Sequence, residues 1–475
     1  MENYDVVIGL EVHVELSTNS KLFCGCSTKF GSEPNTQACP VCAGMPGALP
    51  VLNGKVVELA IKTGVALACE IAEVSKFARK HYFYPDLSKN YQISQHEPPI
   101  AYNGHLLLDG KKIKIKRIHI EEDAGKLIHS DDEFGNSFVD LNRSGMSLLE
   151  IVTEPDIKSS LEAEKFLNNL KHILEYLEIS DCNMEEGSLR CDANVSVKLK
   201  GDNVLGVKTE IKNLNSFKAV RKAIDYEFFR QVSILKQKMD VMQESRLWNE
   251  ELQITEGMRS KEEAHDYRYF SDPDLPSIYV NKDMLDKAIS EIEELPSQRK
   301  ERLIEEYNLT EYDAEVLTSK KELSDYFEKT ASKIRNPKVA VNWIMGDLMA
   351  ILKEDKIEIS NSPVTSEFMV QILTLIEENK ITGTSAKEVL YECFKSGKPP
   401  EAIVKEKDLI QINDDNLVKD FIKEVLDDNP KAIQDYKAGR KQALGYLVGQ
   451  IVKKTEGKID PKIITDSIKK ALEEL

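Results

Sequence analysis

The chain has 475 residues, 41% of them hydrophobic and 31% charged, with 64 Lys and Arg against 81 Asp and Glu for a net charge of −17. That length exceeds one core, since domains run about 100–200 residues, and that charge excludes a surface coating nucleic acid throughout, which needs clustered cations. No apolar run approaches the roughly 18–20 residues that span a bilayer, and the acidic start, Met1 to Asp5, enters a strand pattern directly, so a cytosolic protein without a signal or transit segment is expected.

The first element, Asp5–Leu16, reads as a strand with Glu11, His13 and Glu15 on one face and Val12 and Val14 on the other. A solvated strand edge would tolerate such a face, and so would a site for a divalent cation. Eight cysteines follow along the chain, four of them as Cys24-Gly25-Cys26, twelve residues, then Cys39-Pro40-Val41-Cys42. In a reducing compartment this paired spacing predicts a tetrahedral four-cysteine zinc site, structural because four thiolates leave no position for water. A helix is expected over Gly54–Ala68. The stretch Lys80-His81-Tyr82-Phe83-Tyr84-Pro85-Asp86, with Lys89-Asn90-Tyr91-Gln92, mixes cations and rings. It suits either stacking on a terminal nucleotide or an aromatic packing corner.

The strand Ile113–Glu121 runs into a second acidic segment, His119-Ile120-Glu121-Glu122-Asp123-Ala124-Gly125-Lys126. Here His119, Glu121 and Asp123 share a face, with Glu122 opposite or swung round by a bulge. Crowded carboxylates resist ionising together unless a cation sits among them, and two such segments favour a metal-dependent site. Further strands are expected over Phe138–Leu141, Leu148–Val152, Leu189–Val197 and Val207–Ile211, and helices over Ser160–Leu177 and Ser216–Gln237. Arg143, in Asp140-Leu141-Asn142-Arg143-Ser144-Gly145, either clamps a phosphate or carboxylate bidentately or lies in an ordinary turn. Arg190, Asp192 and Asn194 share a strand face, and Lys208, Glu210, Lys212 and Asn213 follow at similar alternation.

From Leu295-Pro296 onward helical periodicity dominates: Gln298–Tyr307, Tyr312–Thr318, Lys320–Ile334, Val339–Ile351, Ser366–Glu378 and Ser385–Ser396. Gly397-Lys398-Pro399-Pro400 interrupts, and Leu417–Leu426, Pro430–Tyr436, Arg440–Lys454 and Pro461–Leu472 close the chain. All eight histidines lie at or before position 265 and seven cysteines at or before 191, so the chemistry belongs to the mixed part. Residues 411–475 balance 12 Lys and Arg with 12 Asp and Glu, and a local basic patch forms around Lys437, Arg440, Lys441, Lys453 and Lys454. Phosphate-binding P-loops, dinucleotide glycine fingerprints, protein-kinase signatures and the Gly-x-Ser-x-Gly elbow are all missing. Metal-binding carboxylates beside Arg and Lys suit phosphoryl transfer to an anionic acceptor, with no covalent nucleophile required.

These segments resemble the B subunit of the tRNA-dependent aspartyl/glutamyl-tRNA amidotransferases. The resemblance rests on Val7-Ile8-Gly9-Leu10-Glu11-Val12-His13, Tyr82-Phe83-Tyr84-Pro85-Asp86, Glu121-Glu122-Asp123-Ala124-Gly125-Lys126, Leu141-Asn142-Arg143-Ser144-Gly145 and Glu150-Ile151-Val152-Thr153-Glu154-Pro155-Asp156. It continues through Glu185-Glu186-Gly187-Ser188-Leu189-Arg190-Cys191-Asp192-Ala193-Asn194, Lys212-Asn213-Leu214-Asn215-Ser216 and Asp266-Tyr267-Arg268-Tyr269-Phe270. It implies an α+β chain: a cradle-type mixed α/β catalytic domain (1–292), which here carries the zinc-stapled loop read from the cysteine spacing, an all-α helical domain (293–408) and a small helical tail (409–475). It implies ATP-dependent phosphorylation of the side-chain carboxylate of Glu-tRNA(Gln) or Asp-tRNA(Asn), then displacement of phosphate by ammonia.

The implied partners are a glutaminase A subunit that supplies the ammonia, a small C subunit, the charged tRNA, and a non-discriminating aminoacyl-tRNA synthetase that makes the substrate. The implied site has Mg2+ on Glu11, His13, Glu122 and Asp192 with Glu121 beside them. Arg143, Arg190, Lys212 and Asn213 would serve the nucleotide, and Lys80 and Lys89 the ammonia path. Lys437, Arg440, Lys441, Lys453 and Lys454 would contact tRNA backbone, unless they form a solvated face balanced by acids. Ser147 stands where the family usually has Pro. A non-catalytic, zinc-stapled tRNA-binding scaffold and a phosphotransferase or ligase acting on a small molecule are the competing classes.

Overall fold

A computed structural model describes residues 3–129, 136–258, 267–292, 294–412, 415–437, 440, 442–455 and 457–474. The chain divides into two compact units, Met1–Leu295 and Pro296–Leu475.

The first unit is built on a twelve-stranded sheet among the described residues. Its chain order begins with β1 (Tyr4–Glu15), helix α1 (Gly54–Ala66), β2 (Glu70–Ile71), β3 (Val74–Ser75), β4 (Phe77–His81), β5 (Tyr91–Gln95), β6 (Ala101–Leu108) and β7 (Lys111–Glu122). There follow the hairpin β8 (Lys126–His129) and β9 (Ser137–Asp140), then β10 (Ser147–Thr153), α2 (Ser160–Tyr176), β11 (Leu189–Leu199), β12 (Thr209–Leu214) and α3 (Phe217–Lys236). The unit closes with β13 (Glu244–Asn249), β14 (Ile254–Gly257), β15 (Phe270–Ser271), β16 (Ile278–Tyr279) and α4 (Lys282–Glu291). In space the strands run β14-β13-β12-β11-β1-β10-β7-β5-β4-β15, with β6 also on β7 and β2 on β6.

Period-two alternation decides which way this sheet faces. Leu10, Val12 and Val14 of β1 are buried, and they share one core with Phe166, Leu170 and Leu174 of α2 and Val220 and Ile224 of α3. Burying each such side chain is worth about 1.5–3 kcal/mol, so the helices are fixed to that face and the intervening Glu11, His13 and Glu15 to the other. The helix starts follow from their caps: Ser159 accepts from Glu162 N–H at 3.1 Å and Ser216 from Ala219 N–H at 3.0 Å.

Several strands are invisible to periodicity. In β6, Asn103 (φ 54°) and Gly104 interrupt the alternation, and Gly104 passes so close to Cys69 Sγ and Leu67 O that no Cβ fits there. The polar run Lys80–Gln92 contributes the ends of β4 and β5.

The second unit is helical: α5 (Pro296–Tyr307), α6 (Glu311–Leu317), α7 (Lys321–Ala331), α8 (Pro337–Asn342), a π-turn (Trp343–Leu348), α9 (Met349–Glu354), α10 (Ser366–Glu377), α11 (Gly383–Ser396) and α12 (Pro400–Glu406). The tail adds α13 (Asp415–Asp428), α14 (Pro430–Lys437), α15 (Gln442–Lys454) and α16 (Pro461–Glu474). The unit holds two separate apolar clusters, one from Leu303 to Leu409 and one from Val418 to Leu472. No described helix is long and apolar enough to cross a membrane.

Candidate active site

Antiparallel register builds the site. Because β1 lies between β11 and β10, and β10 between β1 and β7, side chains line up in rows across four strands. Arg190, His13, Glu150 and His119 form one row, and Asp192, Glu11, Val152 and Arg117 the next. Directly opposed residues share a face at Cα spacings near 5 Å. His13 Nε2 therefore lies 3.3 Å from Glu121 Oε1, 3.8 Å from Glu11 Oε1 and 3.9 Å from Glu150 Oε2.

The electrostatics follow. Burial alone would lower the His13 pKa, but its hydrogen bond to Glu121 and the charges of Glu121, Glu150 and Glu11 hold it up at about 9. Burial would raise Glu121, yet the His13 bond and charge, with Lys80 and a hydroxyl from Ser94, hold it down at about 2. Glu150 is pushed up to about 7 by burial and by Glu121 and Glu11. Burial and Arg117 press His119 down to about 4. Three carboxylates around one imidazole make an anionic socket whose charge a divalent cation would balance.

Glu11, His13 and Glu150 can each offer one ligand atom, all within 4.8 Å of one another. Two carboxylates and an imidazole fit a divalent cation that keeps other positions for water or phosphate. Unsatisfied groups ring the same face: Nε of Arg117 and Arg190, Nε2 of His119 and Oδ1 of Asn194 are buried and have no hydrogen-bond partner among the described residues. Such atoms are rare in folded interiors and point to a ligand-binding surface.

Other expected site residues have ion-pair or hydrogen-bond partners of their own. Alternation along β7 carries Glu122 off the face of Glu121, where it pairs with Lys89 at 2.5 Å and accepts the Ile93 N–H at 2.8 Å. Asp192 sits opposite Glu11 in register, but its carboxylate meets Lys212 at 2.9 Å. Lys212 also reaches Glu210 at 3.1 Å, and those two acids raise its pKa against the effect of burial. Asn213 donates to the Trp248 carbonyl at 3.0 Å, a strand-joining role. Arg190 and Arg143 converge on Asp123, at 2.7 and 3.3 Å, and Glu15 nearby is pushed up to about 7 by burial and by Asp123. The Lys80 ammonium lies 4.8 Å from the Tyr267 ring centre and 5.9 Å from Tyr82, and its pKa is raised by Glu121 against burial.

Sequence reading missed Glu150. Its signal was an acid inside the otherwise apolar strand Leu148–Val152; only register shows that it faces His13.

The four cysteines do meet. Sγ atoms of Cys24, Cys26, Cys39 and Cys42 lie within 4.8 Å of one another, and Cys39 and Cys42 are 3.8 Å apart. Zinc–sulfur bonds of about 2.3 Å give tetrahedral edges of about 3.8 Å, so the donor set fits zinc. A hydrogen bond with Cys24 and the Lys21 ammonium hold Cys42 down at about 4 against burial, while burial pushes Cys26 up to about 11. Lys21 is wholly buried, its ammonium donating to the carbonyls of Gln37 at 2.8 Å and Leu141 at 3.2 Å.

In the tail, Arg440 pairs with Asp435 at 3.1 Å and Lys454 with Glu424 at 2.6 Å, while Lys453 is exposed on the last turn of α15. Lys441 lies outside the described residues, as do the Lys437 side chain and Asp266.

Comparison with known proteins matches residues 6–286 to the GatB/GatE catalytic domain and residues 325–472 to the GatB domain. The chain is 52% identical to the B subunit of the aspartyl/glutamyl-tRNA(Asn/Gln) amidotransferase of Caldanaerobacter subterraneus over 473 residues, 99% of each chain. It is 52% identical to the counterpart from Carboxydothermus hydrogenoformans over 485 aligned residues, covering both chains entirely. The counterpart from Persephonella marina is 48% identical over 474 residues, again 99% of each.

Proposed function

Since the chain belongs to the family of aspartyl/glutamyl-tRNA(Asn/Gln) amidotransferase B subunits, an enzyme family of tRNA-dependent amidation, we propose that its sheet face activates the side-chain carboxylate of Glu-tRNA(Gln) or Asp-tRNA(Asn) with ATP and then forms the amide. The observation that carries this reading is His13 Nε2 within 3.3–3.9 Å of three carboxylates from three strands, on a face ringed by unsatisfied polar atoms.

The chemistry divides among this chain's residues. In the first step a substrate carboxylate oxygen attacks the γ-phosphorus of ATP and ADP leaves. Held by Glu11, His13 and Glu150, Mg2+ would neutralise phosphate charge. Glu121 fixes the ring orientation of His13. Arg190 and Arg143, both held by Asp123, present guanidinium forks suited to the acceptor carboxylate or the transferred phosphoryl group. In the second step ammonia nitrogen attacks the acyl carbon, phosphate departs with the former carboxylate oxygen, and the surplus ammonia proton passes to it. Lys80, a cation between tyrosines, and Lys89 on Glu122 would line the ammonia route, where their charge disfavours ammonium and favours neutral ammonia.

A zinc ion on Cys24, Cys26, Cys39 and Cys42 would be structural. A glutaminase A subunit, a small C subunit and a synthetase that supplies mischarged tRNA are the partners this reading requires. Arg440 and Lys453 would contact tRNA phosphates.

The test is Glu150→Gln in the enzyme assembled with its A and C partners, given ATP, Mg2+, glutamine and Glu-tRNA. Phosphate release that depends on Glu-tRNA is expected to fall about 10³-fold, a loss typical of removing a transition-state charge stabiliser, with glutamine hydrolysis retained. Normal Gln-tRNA formation by the variant would overturn the assignment.

A further inference from the structure

One carbonyl oxygen of the four-cysteine loop is shared between the segments that carry Lys89 and Arg143. The carbonyl oxygen of Cys42, itself one of the four thiol residues, accepts two hydroxyls: Ser88 Oγ at 2.8 Å and Ser144 Oγ at 3.0 Å. Each serine is the sequence neighbour of a cation. Ser88 precedes Lys89, which pairs with Glu122 at 2.5 Å, and Ser144 follows Arg143, whose Nε lies 3.3 Å from Asp123. Glu122 and Asp123 are consecutive, so one peptide group sets the backbone positions of two cations on two adjacent acids.

Neighbouring contacts tighten the arrangement. At Gly44 (φ 67°) a Cβ would fall 2.6 Å from Lys89 Cγ and 3.1 Å from the Ser88 carbonyl, so the loop lies against the lysine stem with no room for a side chain. Asn142 accepts the Gln37 N–H at 2.8 Å, Asp140 accepts the Asn35 N–H at 3.0 Å, and Lys21 bridges Gln37 to Leu141. The loop is thus stitched to the segment that carries Arg143. Glu11, His13 and Glu150 take no part in these contacts.

Resting on the amidotransferase reading, we propose that the four-cysteine loop is a positioning element for Lys89 and Arg143, acting through the Cys42 carbonyl, Ser88 and Ser144, and that through Lys89 it acts on amide formation. A lysine has four rotatable bonds, and its head is placed only as well as its backbone is. Displacement of a positioning group by about 1 Å costs up to about 10²-fold. A metal at the cysteines would hold the loop closed and so keep the carbonyl in place.

The experiment uses the Ser88→Ala/Ser144→Ala double variant in the complete enzyme. Zinc content is expected to match wild type. Gln-tRNA formed per ATP cleaved should fall about tenfold, with a raised KM for ammonia supplied as ammonium chloride. Ser88→Thr/Ser144→Thr, which keeps both hydroxyls, should restore the ratio. In wild type, zinc removal by a chelator should speed amide exchange at 86–92 and 141–146 but not at 8–14. An unchanged ratio with zinc retained, or unchanged exchange at 86–92, overturns the proposal. If the alanine variant does not fold, Gly44→Ala, which presses on Lys89 from the loop, decides: the same fall supports it and an unchanged ratio sinks it. Failure of wild type to cleave ATP on Glu-tRNA would instead sink the amidotransferase reading itself.

Discussion

The two metal-capable clusters among the described residues of the first unit are opposites in how their ligands meet. Cys24, Cys26, Cys39 and Cys42 come from one short loop and supply four identical donors, a set that fills a tetrahedron and leaves nothing open. Glu11, His13 and Glu150 come from β1 and β10, supply three donors of two kinds, and leave coordination positions for a substrate. A closed site stabilises and an open one reacts; the same contrast explains why spacing finds the first and only register finds the second.

The largest effects should separate the clusters. His13→Ala is expected to abolish phosphoryl transfer, at least about 10³-fold, with zinc content unchanged in elemental analysis. Cys39→Ser should lose zinc and lower the thermal midpoint by roughly 5–10 °C, as a loss of a few kcal/mol does in a unit of this size, while Mn2+ still binds the open site. A variant that damaged both readouts equally would dissolve the distinction.

A pH series sharpens it. His13 titrates at about 9 in the folded chain against 6.5 unfolded, so its contribution to stability is full below about 6.5 and is lost as pH rises through 9. A cation needs the neutral ring, so Mg2+ or Mn2+ affinity should climb over that same window with release of a proton, measurable calorimetrically in two buffers of different ionisation heat. Affinity flat from pH 6.5 to 9 would remove His13 from the ligand set. The smallest expected effect is at the tail: Lys453→Ala should raise the KM for tRNA about twofold and lower the salt slope by about one, leaving ATP cleavage unchanged.

How much of this was legible depends on distance along the chain. The face of β1 could be read because alternation is local, and the helix starts at Ser159 and Ser216 because caps are local. The mixture of strands and helices in the first part and the change of character near Leu295-Pro296 were likewise written in periodicity. Glu150 was not, because its strand looks like plain core until β1 and β7 are set on either side of it. Glu122 was read as facing either way, and the structure pairs it with Lys89. Asp192 was expected as a ligand through the family resemblance; the structure sets it opposite Glu11 and pairs its carboxylate with Lys212 of the neighbouring β12.

The π-turn at Trp343–Leu348 has a consequence for the second unit. Ala340, Ile344, Leu348 and Leu352 are all buried at intervals of four, a spacing that ordinary α-winding would carry progressively off the core. The wider turn absorbs one surplus residue, and Gly346 within it is exposed with open space around it. Excising Gly346 would let the turn relax to a regular α-helix with both flanks still facing inward, whereas the same excision in α10 would rotate everything beyond it by about 100°. The helical unit therefore carries a built-in allowance for a change of one residue in length.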